Sequence, residues 1–368
     1  MIRSHRIRLN PTPEQADYFV RAAGTRRFVF NWGLAEWKRQ YEAGEKPSAL
    51  ALKKQFNAIK GEQFPWVYEV TKCAVEGAFM DLATAFKNFF EGRKLGRKVG
   101  YPKFKTKKRS REGFYVANDK FDVSGHWIKL PHIGLVNMAE KLRFQGKVLS
   151  ARITRTADWW FVSIAVEMPD VHQQQLPGKI GIDLGLNHLV TLSDGSVLEN
   201  QKPLRSLLSQ VKRLGRSLSR KQTGSKNREK ARRKLARLHY RITCIRDDLL
   251  HKATTHIAQT YGFVAVESLH VKGMMQNHAL AQALGDAAFG RLTELLATKV
   301  STAQGKVVQV GRFYPSSKTC SCCGHVKANL SLAERMFVCD ACGFTLDRDH
   351  NAAINILNEA MRLSASSP

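Results

Sequence analysis

The N-terminal part of the chain combines one strand pattern with long stretches of helical spacing. Residues 2–9 alternate apolar and polar side chains, which predicts a short strand. Thr12, Pro13 and Gln15 then have the spacing of a helix N-terminus, because threonine caps it, proline suits its first position and glutamine completes a capping box. Apolar and aromatic residues recur at helical spacing beyond this point, so residues 12–92 are predicted to be mainly helical.

The period changes to that of β-structure in residues 113–170. Alternation is clearest at Trp160, Val162, Ile164 and Val166. A turn at residues 156–158 precedes them, and residues 148–153 would supply the partner strand. The strand at residues 2–9 can join this β-rich unit, with the helical segment inserted between them.

Beyond a polar linker at residues 171–178, the pattern is strand, hairpin, long helices, strand, helix and strand. One apolar stripe runs from Leu204 to Leu218, and a second runs from Leu235 to Leu249. Gly224 lies in the polar turn between the stripes. We therefore predict two antiparallel helices that pack stripe against stripe.

Charge is the most unusual feature of the composition. The 368 residues carry 59 Lys and Arg against 31 Asp and Glu, a net charge of +28, while 43% hydrophobic residues indicate a globular chain of two or three domains. Such a surplus indicates a polyanionic partner, either nucleic acid or an anionic membrane. The chain has no long uncharged apolar run and no secretory-type N-terminus, so we expect no membrane partner and a location in the cytoplasm or nucleoid of a prokaryote, or in a nucleus.

The cations concentrate in two segments. The connector at residues 93–111 holds aromatic residues among cations, and it is either a solvated loop or a segment that follows phosphates and stacks bases; the net charge favours the second. The outer faces of the two predicted helices are almost entirely basic, which would be repulsive without a bound anion. The predicted nucleic-acid contacts are Lys103, Lys105, Lys107, Lys108, Arg109, Lys212, Arg213, Arg216, Arg220, Arg232, Arg233 and Arg237.

Five of the seven cysteines lie within one short segment near the C-terminus. Cys320, Cys323, Cys339 and Cys342 form two C-x2-C pairs, and four thiolates so spaced can surround one tetrahedral Zn²⁺. Free thiols or a disulfide are the alternatives. Cys322 leaves a second ambiguity, because it can replace a neighbour as ligand, although we treat it as a bystander.

Three acids have a context that predicts metal chemistry. Asp183 lies in an apolar strand, Glu267 ends another, and Asp349 begins a helix. An ionised carboxylate in a buried strand is costly unless a cation balances it. Each acid alone is equally well explained as a solvated strand end, but together they are typical of a hard Mg²⁺ site, in which a metal pair hydrolyses phosphodiesters. On this basis Asp347 remains an alternative to Asp349, and His350 is better explained as a surface or supporting residue.

These segments together resemble the TnpB family, also called OrfB, whose members are encoded by small insertion sequences and are related to type V CRISPR nucleases. The resemblance covers nearly the whole chain. Its matching segments are Gly181–Gly185 with the Ser193–Gly195 turn, Val266–Leu269, Tyr314–Cys320 and Asp347–Ala353.

The resemblance implies an α+β multidomain fold with an RNase H-like (RuvC) nuclease core, an inserted zinc ribbon, a β-barrel wedge domain and a helical recognition lobe. The implied segments are a wedge strand at 1–11, the lobe at 12–105, the wedge at 106–174, the core at 175–318, the ribbon at 319–345, and the final core helix and tail at 346–368.

The resemblance also implies RNA-guided cleavage of double-stranded DNA beside a short flanking motif, by a monomer bound to guide RNA from the transposon end. In the family, the acids that match Asp183, Glu267 and Asp349 form the catalytic triad, which favours Asp349 over Asp347. The flanking motif would be recognised by the lobe and the wedge, where Lys72 and Asn118 are candidate contacts.

Two other functions compete with this one. A catalytically inactive RNA-guided repressor should have lost one of the metal-binding acids, and this sequence keeps all three. A transposase that joins DNA strands would also use three acids, so the sequence separates it poorly from a nuclease.

Overall fold

A computed structural model describes residues 1–169, 176–331 and 333–365. The chain divides into two compact units, Met1–Asp170 and Val171–Pro368. Most of the predicted polar linker lies outside the described residues. Within the described residues, no helix is long and apolar enough to cross a membrane.

The first unit contains a seven-stranded antiparallel sheet. Its strands are β1 (Ile2–Asn10), β2 (Gly113–Ala117), β3 (Asp122–Ser124), β4 (Trp127–Leu130), β5 (Gly134–Met138), β6 (Lys147–Thr156) and β7 (Trp159–Glu167). Their order is β2-β6-β7-β1-β5-β4-β3. β1 lies between β7 and β5, which confirms that the N-terminal strand joins the later β-rich segment.

Side chains from most strands of the sheet share one buried core, but among the described residues the sheet is not a barrel closed by backbone hydrogen bonds. In the described part of the chain, its end strands β2 and β3 do not pair with each other. β3 has only three residues, so it offers little backbone for pairing. Alternate side chains of the central strands are buried in the core, among them Ile7, Leu9, Trp160, Val162 and Ile164.

Three helices complete the first unit: α1 (Pro13–Glu42), α2 (Ala49–Gln63) and α3 (Lys72–Lys94). The predicted capping box is present, because Thr12 Oγ1 accepts from the Gln15 amide at 3.3 Å and Gln15 Oε1 accepts from the Thr12 amide at 3.1 Å. The helical pattern of residues 48–92 is not one helix. Pro65 cannot continue α2, and a 3-10 turn (Pro65–Glu69) separates α2 from α3.

The second unit is built on a five-stranded mixed sheet. Its strands are β8 (Lys179–Asp183), β9 (His188–Leu192), β10 (Val197–Glu199), β11 (Phe263–Glu267) and β12 (Lys306–Val310), in the order β10-β9-β8-β11-β12. β8, β11 and β12 are parallel, while β9 is antiparallel to β8 and to β10. Helices cover the parallel strands, which explains why their sequences are apolar throughout.

In the described part of the second unit, six helices and a short hairpin accompany this sheet. The helices are α4 (Pro203–Ser219), α5 (Lys226–Thr260), α6 (Val271–Met274), α7 (His278–Ala287), α8 (Phe289–Thr302) and α9 (Arg348–Ala365). The hairpin consists of β13 (Met336–Val338) and β14 (Thr345–Asp347). Helix α9 continues through the start of the expected C-terminal tail, and residues 366–368 lie outside the described residues.

The predicted pair of long helices is present as α4 and α5. The buried Asp286 carboxylate on α7 positions this pair. It accepts from the amides of Leu204 and Arg205, at 2.9–3.1 Å, at the N-terminus of α4, which has no side-chain cap of its own. The same carboxylate accepts from the Arg246 guanidinium on α5 at 3.0 Å, so one acid joins three helices.

Helix α9 lies directly against β8 because that strand has a glycine at the crossing. A Cβ on Gly181 would overlap the carbonyl oxygen of Ala353 and would approach Leu357 Cβ at 2.9 Å. The absence of a side chain therefore sets how closely the last helix approaches the strand that ends in Asp183.

Gly181→Ala tests this close approach. The added methyl meets backbone, which cannot move aside as a flexible side chain can, so we expect a loss of about 1–3 kcal/mol in the free energy of unfolding, measured in urea. Gly215→Ala on α4 is the matched control, because a Cβ there meets nothing within 4 Å. The control should gain about 0.5–1 kcal/mol from reduced backbone entropy. Wild-type stability of Gly181→Ala would refute the argument.

Candidate active site

Three acids converge at one edge of the second sheet. Asp183 is the last residue of β8 and Glu267 is the last residue of β11. These strands are parallel and in register, with Ile182 opposite Val266, so the two carboxylates emerge side by side. Asp349 is the second residue of α9, the helix that packs on β8. The structure thus brings together the three acids selected from the sequence.

Burial dominates the electrostatics of this cluster. Desolvation raises the pKa of Asp183 well above its ordinary value, and the neighbouring charges of Glu267 and Asp349 raise it further. Desolvation also raises the pKa of Glu267 to about 7, against a smaller opposing hydrogen bond from the Leu184 amide. The surroundings of the site therefore favour the protonated, neutral carboxyls, and the ionised forms lack a balancing positive charge.

Arg348 is a component of the site that we did not identify from the sequence. Its Nε and Nη2 donate to Asp349 Oδ1 at 3.1 and 3.0 Å, and Nη1 donates to the Glu334 carbonyl oxygen at 3.0 Å. Its charge also opposes the rise in the pKa of Asp183. Arg348 therefore orients Asp349 and connects it to the segment before β13. An arginine between two acids, in Asp347-Arg348-Asp349, was the available signal.

The structure gives Asp347 a different task from Asp349. Asp347 Oδ1 accepts from the amides of Asp349 and His350, both at 3.0 Å, and so caps the N-terminus of α9. Among the charges that raise the pKa of Asp183, Asp349 also outranks Asp347. His350 is a supporting residue, since its Nε2 contacts the Ser193 carbonyl oxygen at 3.2 Å.

These donors have the oxygen chemistry that a hard divalent cation prefers. Among the described residues, the four cysteines are the group whose ligand atoms all lie within 4.8 Å of one another, so a bound ion would have to draw the three acids closer together. Mg²⁺ in proteins is held by carboxylate oxygens and water. Buried carboxylates with raised pKa values are costly to ionise, and a bound cation would remove that cost. Asp183, Glu267 and Asp349 are therefore the side chains that could hold such an ion.

Four cysteines form a separate cluster in the same unit. The Sγ atoms of Cys320, Cys323, Cys339 and Cys342 lie within 4.8 Å of one another, the arrangement that a tetrahedral metal ion needs. All cysteines are free, so the disulfide alternative is wrong. Cys322 is exposed and lies outside the cluster, so the geometry favours the other four cysteines as the ligand set.

Two buried asparagines connect this cluster to the helix that carries Asp349. Asn351 Oδ1 accepts from the Ser321 amide at 3.0 Å, and its Nδ2 donates to the Thr319 carbonyl oxygen at 2.7 Å. One turn later, Asn355 Nδ2 donates to the carbonyl oxygens of Ser316 and Thr319. Asn351 lies in the matching segment Asp347–Ala353 and Asn355 lies just beyond it, but the sequence pattern assigned neither a role. Their role here is to fix the base of the cysteine cluster on α9.

The basic face of α4 forms a cleft of about 420 Å³. Its lining is Arg213, Arg216, Ser217, Arg220 and Lys221, so the structure brings three of the predicted cations together. The neighbouring face of α5, predicted to be almost entirely basic, also carries an acid that pairs with two of its arginines. Glu229 pairs with Arg232 at 2.7 Å and with Arg233 at 3.1 Å, and hydrogen bonds from these arginines lower its pKa to about 2.

One of the predicted connector cations has internal contacts. Lys105 was predicted to contact nucleic acid, but its Nζ pairs with Asp81 at 3.0 Å and lies 3.7 Å from the centre of the Phe30 ring. Burial lowers its pKa, with Asp81 opposing that effect. Lys105 therefore holds the connector in place, while the predicted contacts Lys103, Lys107, Lys108 and Arg109 are exposed.

The two candidate contacts for a flanking DNA motif, Lys72 and Asn118, are both exposed. A hydrogen bond from Lys120 chiefly lowers the pKa of Asp119, and the charge of Lys72 contributes. Lys72 therefore lies near the turn that begins at Asn118 (Asn118–Lys120).

The raised pKa of Glu267 predicts how stability of the Mg²⁺-free protein depends on pH. A carboxyl whose folded pKa is about 7, against an ordinary 4.5, stabilises the fold at low pH, and that contribution is lost as pH rises through 7. We expect a decrease of up to about 3 kcal/mol from this group between pH 4.5 and 8. Urea unfolding at several pH values, with Zn²⁺ retained, measures it.

Glu267→Gln should flatten this pH dependence, because the side chain no longer titrates. Glu294→Gln, at an exposed acid on α8, is the control and should keep the wild-type profile. Equal slopes for wild type and Glu267→Gln would contradict the assignment of a buried, proton-binding carboxyl.

Sequence families match three parts of the chain. Residues 163–278 match the OrfB family of IS605, described as "Probable transposase", and residues 289–356 match "Cas12f1-like, TNB domain". Residues 1–46 match a family described as "Helix-turn-helix domain". In this structure those residues form β1 and the continuous helix α1, followed by the start of the next loop.

Relatives and solved structures agree with these matches. A Streptomyces pristinaespiralis protein named "Putative RNA-guided DNA endonuclease" is 34% identical over 99% of this chain and 90% of its own length. Escherichia coli "Putative RNA-guided DNA endonuclease InsQ" is 30% identical over 97% and 92%.

The fold is similar to that of a Cas12f1 chain in a cryo-EM complex with sgRNA and target DNA. The TM-score is 0.61 at 15% identity, over 94% of this chain and 83% of that chain. A Cas-phi3 endonuclease chain has a TM-score of 0.53 at 10% identity, over 98% and 92%. From its motifs, its fold and its full-length relatives, the chain belongs to the TnpB (OrfB) family.

Proposed function

We propose that this protein is an RNA-guided DNA endonuclease encoded by an insertion sequence, which cleaves double-stranded DNA beside a short flanking motif. The observation that carries the proposal is the meeting of Asp183 and Glu267, desolvated and with raised pKa values, beside Asp349. The names of the full-length relatives support the same activity.

The partners we propose are a guide RNA derived from the transposon end and the target DNA. The net charge of +28 and the cationic cleft on α4 support polyanion binding. In this proposal the protein acts as a monomer with its RNA, in the cytoplasm or nucleoid of a prokaryote. Residues 12–105 serve as the recognition lobe, and residues 1–11 and 106–174 serve as the wedge.

Asp183, Glu267 and Asp349 would hold Mg²⁺, which when bound supplies activation of the attacking water and stabilisation of charge on the leaving oxygen. The chain's own contribution is orientation. Arg348 holds the Asp349 carboxylate from one side, and the cap at Asp347 fixes the first turn of α9. The three acids are partly buried, and this reduces screening by water and strengthens the electrostatic interactions among them.

We further propose that the cysteine cluster holds a structural Zn²⁺. Four thiolates without an open position are typical of structural zinc sites. The hydrogen bonds from Asn351 and Asn355 mean that order in the cluster is transmitted to α9. The ribbon would therefore act first as a scaffold for Asp349.

Two alternative functions, a repressor and a transposase, can be compared with this proposal. A catalytically inactive RNA-guided repressor has no need of three acids brought together at one sheet edge, two of them desolvated, which argues for the nuclease. A transposase would require the same acids, and it is separated from a nuclease by its products.

Asp183→Asn should abolish cleavage while sparing guided binding. The amide keeps the shape but removes the anionic ligand, so we expect a loss of about 10³-fold or more. RNA that copurifies with the protein is sequenced to define the guide. Conversion of a matching supercoiled plasmid to linear DNA then measures cleavage, and a mobility shift measures binding.

Asp347→Asn is the matched control, since asparagine also caps helices well and this variant should cleave within a few-fold of wild type. Cleavage by Asp183→Asn at the wild-type rate would remove the metal assignment. Binding without cleavage by the wild-type protein would favour the repressor, and donor ends joined to the plasmid would favour the transposase.

Cys323→Ser should lose bound zinc and lower the melting temperature, because three thiolates no longer complete the site. Cys322→Ser is the control on the neighbouring residue and should keep both. Zinc content by mass spectrometry and thermal unfolding measure the two properties. If Cys323→Ser retained zinc and Cys322→Ser lost it, the ligand set would be wrong.

A further inference from the structure

A pocket of about 430 Å³ lies in the first unit, between the second half of α1 and the connector that follows α3. Its lining includes Leu34, Lys38, Tyr41, Glu42, Tyr101 and Phe104. Leu34 closes the floor, since it is buried, whereas Tyr41 and Phe104 are 69% and 56% exposed. The pocket thus offers aromatic surface to whatever enters it.

The connector side of this pocket is held at both ends. Asn31 on α1 exchanges two hydrogen bonds with the backbone of Lys105, at 2.8 and 2.9 Å. At the other end, Val99 packs against Gly92, where a Cβ would overlap its side chain. The segment between Val99 and Lys105 is therefore fixed before any ligand arrives, which lowers the entropy lost on binding.

The aromatic wall is also rigid. The Tyr101 ring meets Phe86 and Phe89 edge to face, with centroids 5.5 Å apart in both cases. Phe86 in turn stacks on Trp37 at 3.7 Å. These contacts hold one aromatic ring in place at the pocket, where a planar ligand can stack on it.

Charge at the mouth indicates which ligand fits. Lys38 and Glu42 lie one helical turn apart, with Lys38 Nζ 3.6 Å from Glu42 Oε1, and both side chains are more than 60% exposed. Lys103 is exposed on the connector segment itself, and Lys107 and Lys108 follow it. The pocket therefore combines an apolar, aromatic lining with exposed cations at its mouth, in a chain of net charge +28. The lining suits a base, and the cations suit the phosphate attached to it.

We propose that this pocket binds one unpaired nucleobase of a single-stranded nucleic acid. The base stacks on the aromatic wall, Lys38 and Lys103 face its phosphates, and Glu42 is placed to accept hydrogen bonds from amino or imino groups of the base. The inference deepens the proposed function, on which it rests for the class of partner. The α4 cleft is lined by four cations and a serine, without aromatic residues, so it suits phosphate alone. In this proposal the pocket binds a base and the cleft binds phosphate.

The test uses the full-length protein and short single-stranded oligonucleotides that carry 5-iodouracil, in matched RNA and DNA forms. Irradiation should crosslink the base to Tyr41 or Tyr101, and mass spectrometry identifies the residue. A crosslink with RNA alone identifies guide RNA as the source, and one with DNA alone identifies a separated DNA strand. Crosslinks confined to residues outside the pocket would overturn the proposal.

The double variant Tyr101→Leu, Phe104→Leu removes the ring that Phe86 and Phe89 hold in place, together with its aromatic neighbour, while keeping apolar volume. We expect the affinity to fall by roughly 5- to 100-fold, as for the loss of one base–aromatic stack. The slope of affinity against salt should not change, because no cation is removed. Both side chains are exposed, so the melting temperature should stay at the wild-type value. Tyr68→Leu, at an exposed tyrosine of the same unit outside the pocket, is the matched control.

Unchanged affinity in the double variant would overturn the pocket, as would a wild-type protein that fails to bind the oligonucleotides at low salt. Neither result depends on cleavage. Plasmid cleavage that persists in wild type and disappears in Asp183→Asn would keep the endonuclease even if the pocket failed. Stacking without cleavage would keep the pocket and remove the nuclease.

Discussion

The second unit is organised around the cost of keeping acids out of water. Asp183 and Glu267 end two adjacent parallel strands, and burial raises the pKa of both. Their neighbours do little to offset that cost, since Arg348 contacts Asp349 and acts on Asp183 only through its charge. The fold therefore maintains carboxyls that favour their protonated forms, and a bound cation would stabilise their ionised forms.

Asp349, the third acid, lies far along the sequence from the other two, and several contacts bring it to that edge. Gly181 lets α9 approach β8, Asp347 caps the helix, and Asn351 fixes the cysteine cluster on its next turn. The cluster is thus attached to the helix that carries the acid, and the Arg348 contact with Glu334 adds a second connection. Through these contacts, metal binding by the cysteines would also order the active site.

The excess positive charge is divided between the protein surface and internal ion pairs. Much of it stays on the surface, but part is used internally, as Lys105 with Asp81 and Arg246 with Asp286 show. Counting basic residues in a segment therefore overstates its capacity for phosphate. Glu229 makes the same point on α5, where it pairs with two arginines that were assigned to nucleic acid. The exposed aromatic residues of the connector are better evidence for a nucleic-acid contact than its cations are. Other rings hold them in place, and the fold does not require their exposed faces to stay in water.

Local sequence patterns predicted several strands and helices, the cysteine cluster and the acids of the candidate active site. Alternation identified β1 and β7, the capping box identified the start of α1, and the spacing of four cysteines identified the metal cluster, because each depends on residues close along the chain. Acids in apolar strands identified the site, since desolvation is costly wherever the strand lies. The tertiary structure showed that Asp347 caps α9 while the charge of Asp349 acts on Asp183, left Cys322 outside the cysteine cluster, and revealed Arg348, Asn351 and the pocket beside Tyr101. Those outcomes depend on contacts between distant segments, where hydrogen-bond direction and close packing select one residue from several of the same type.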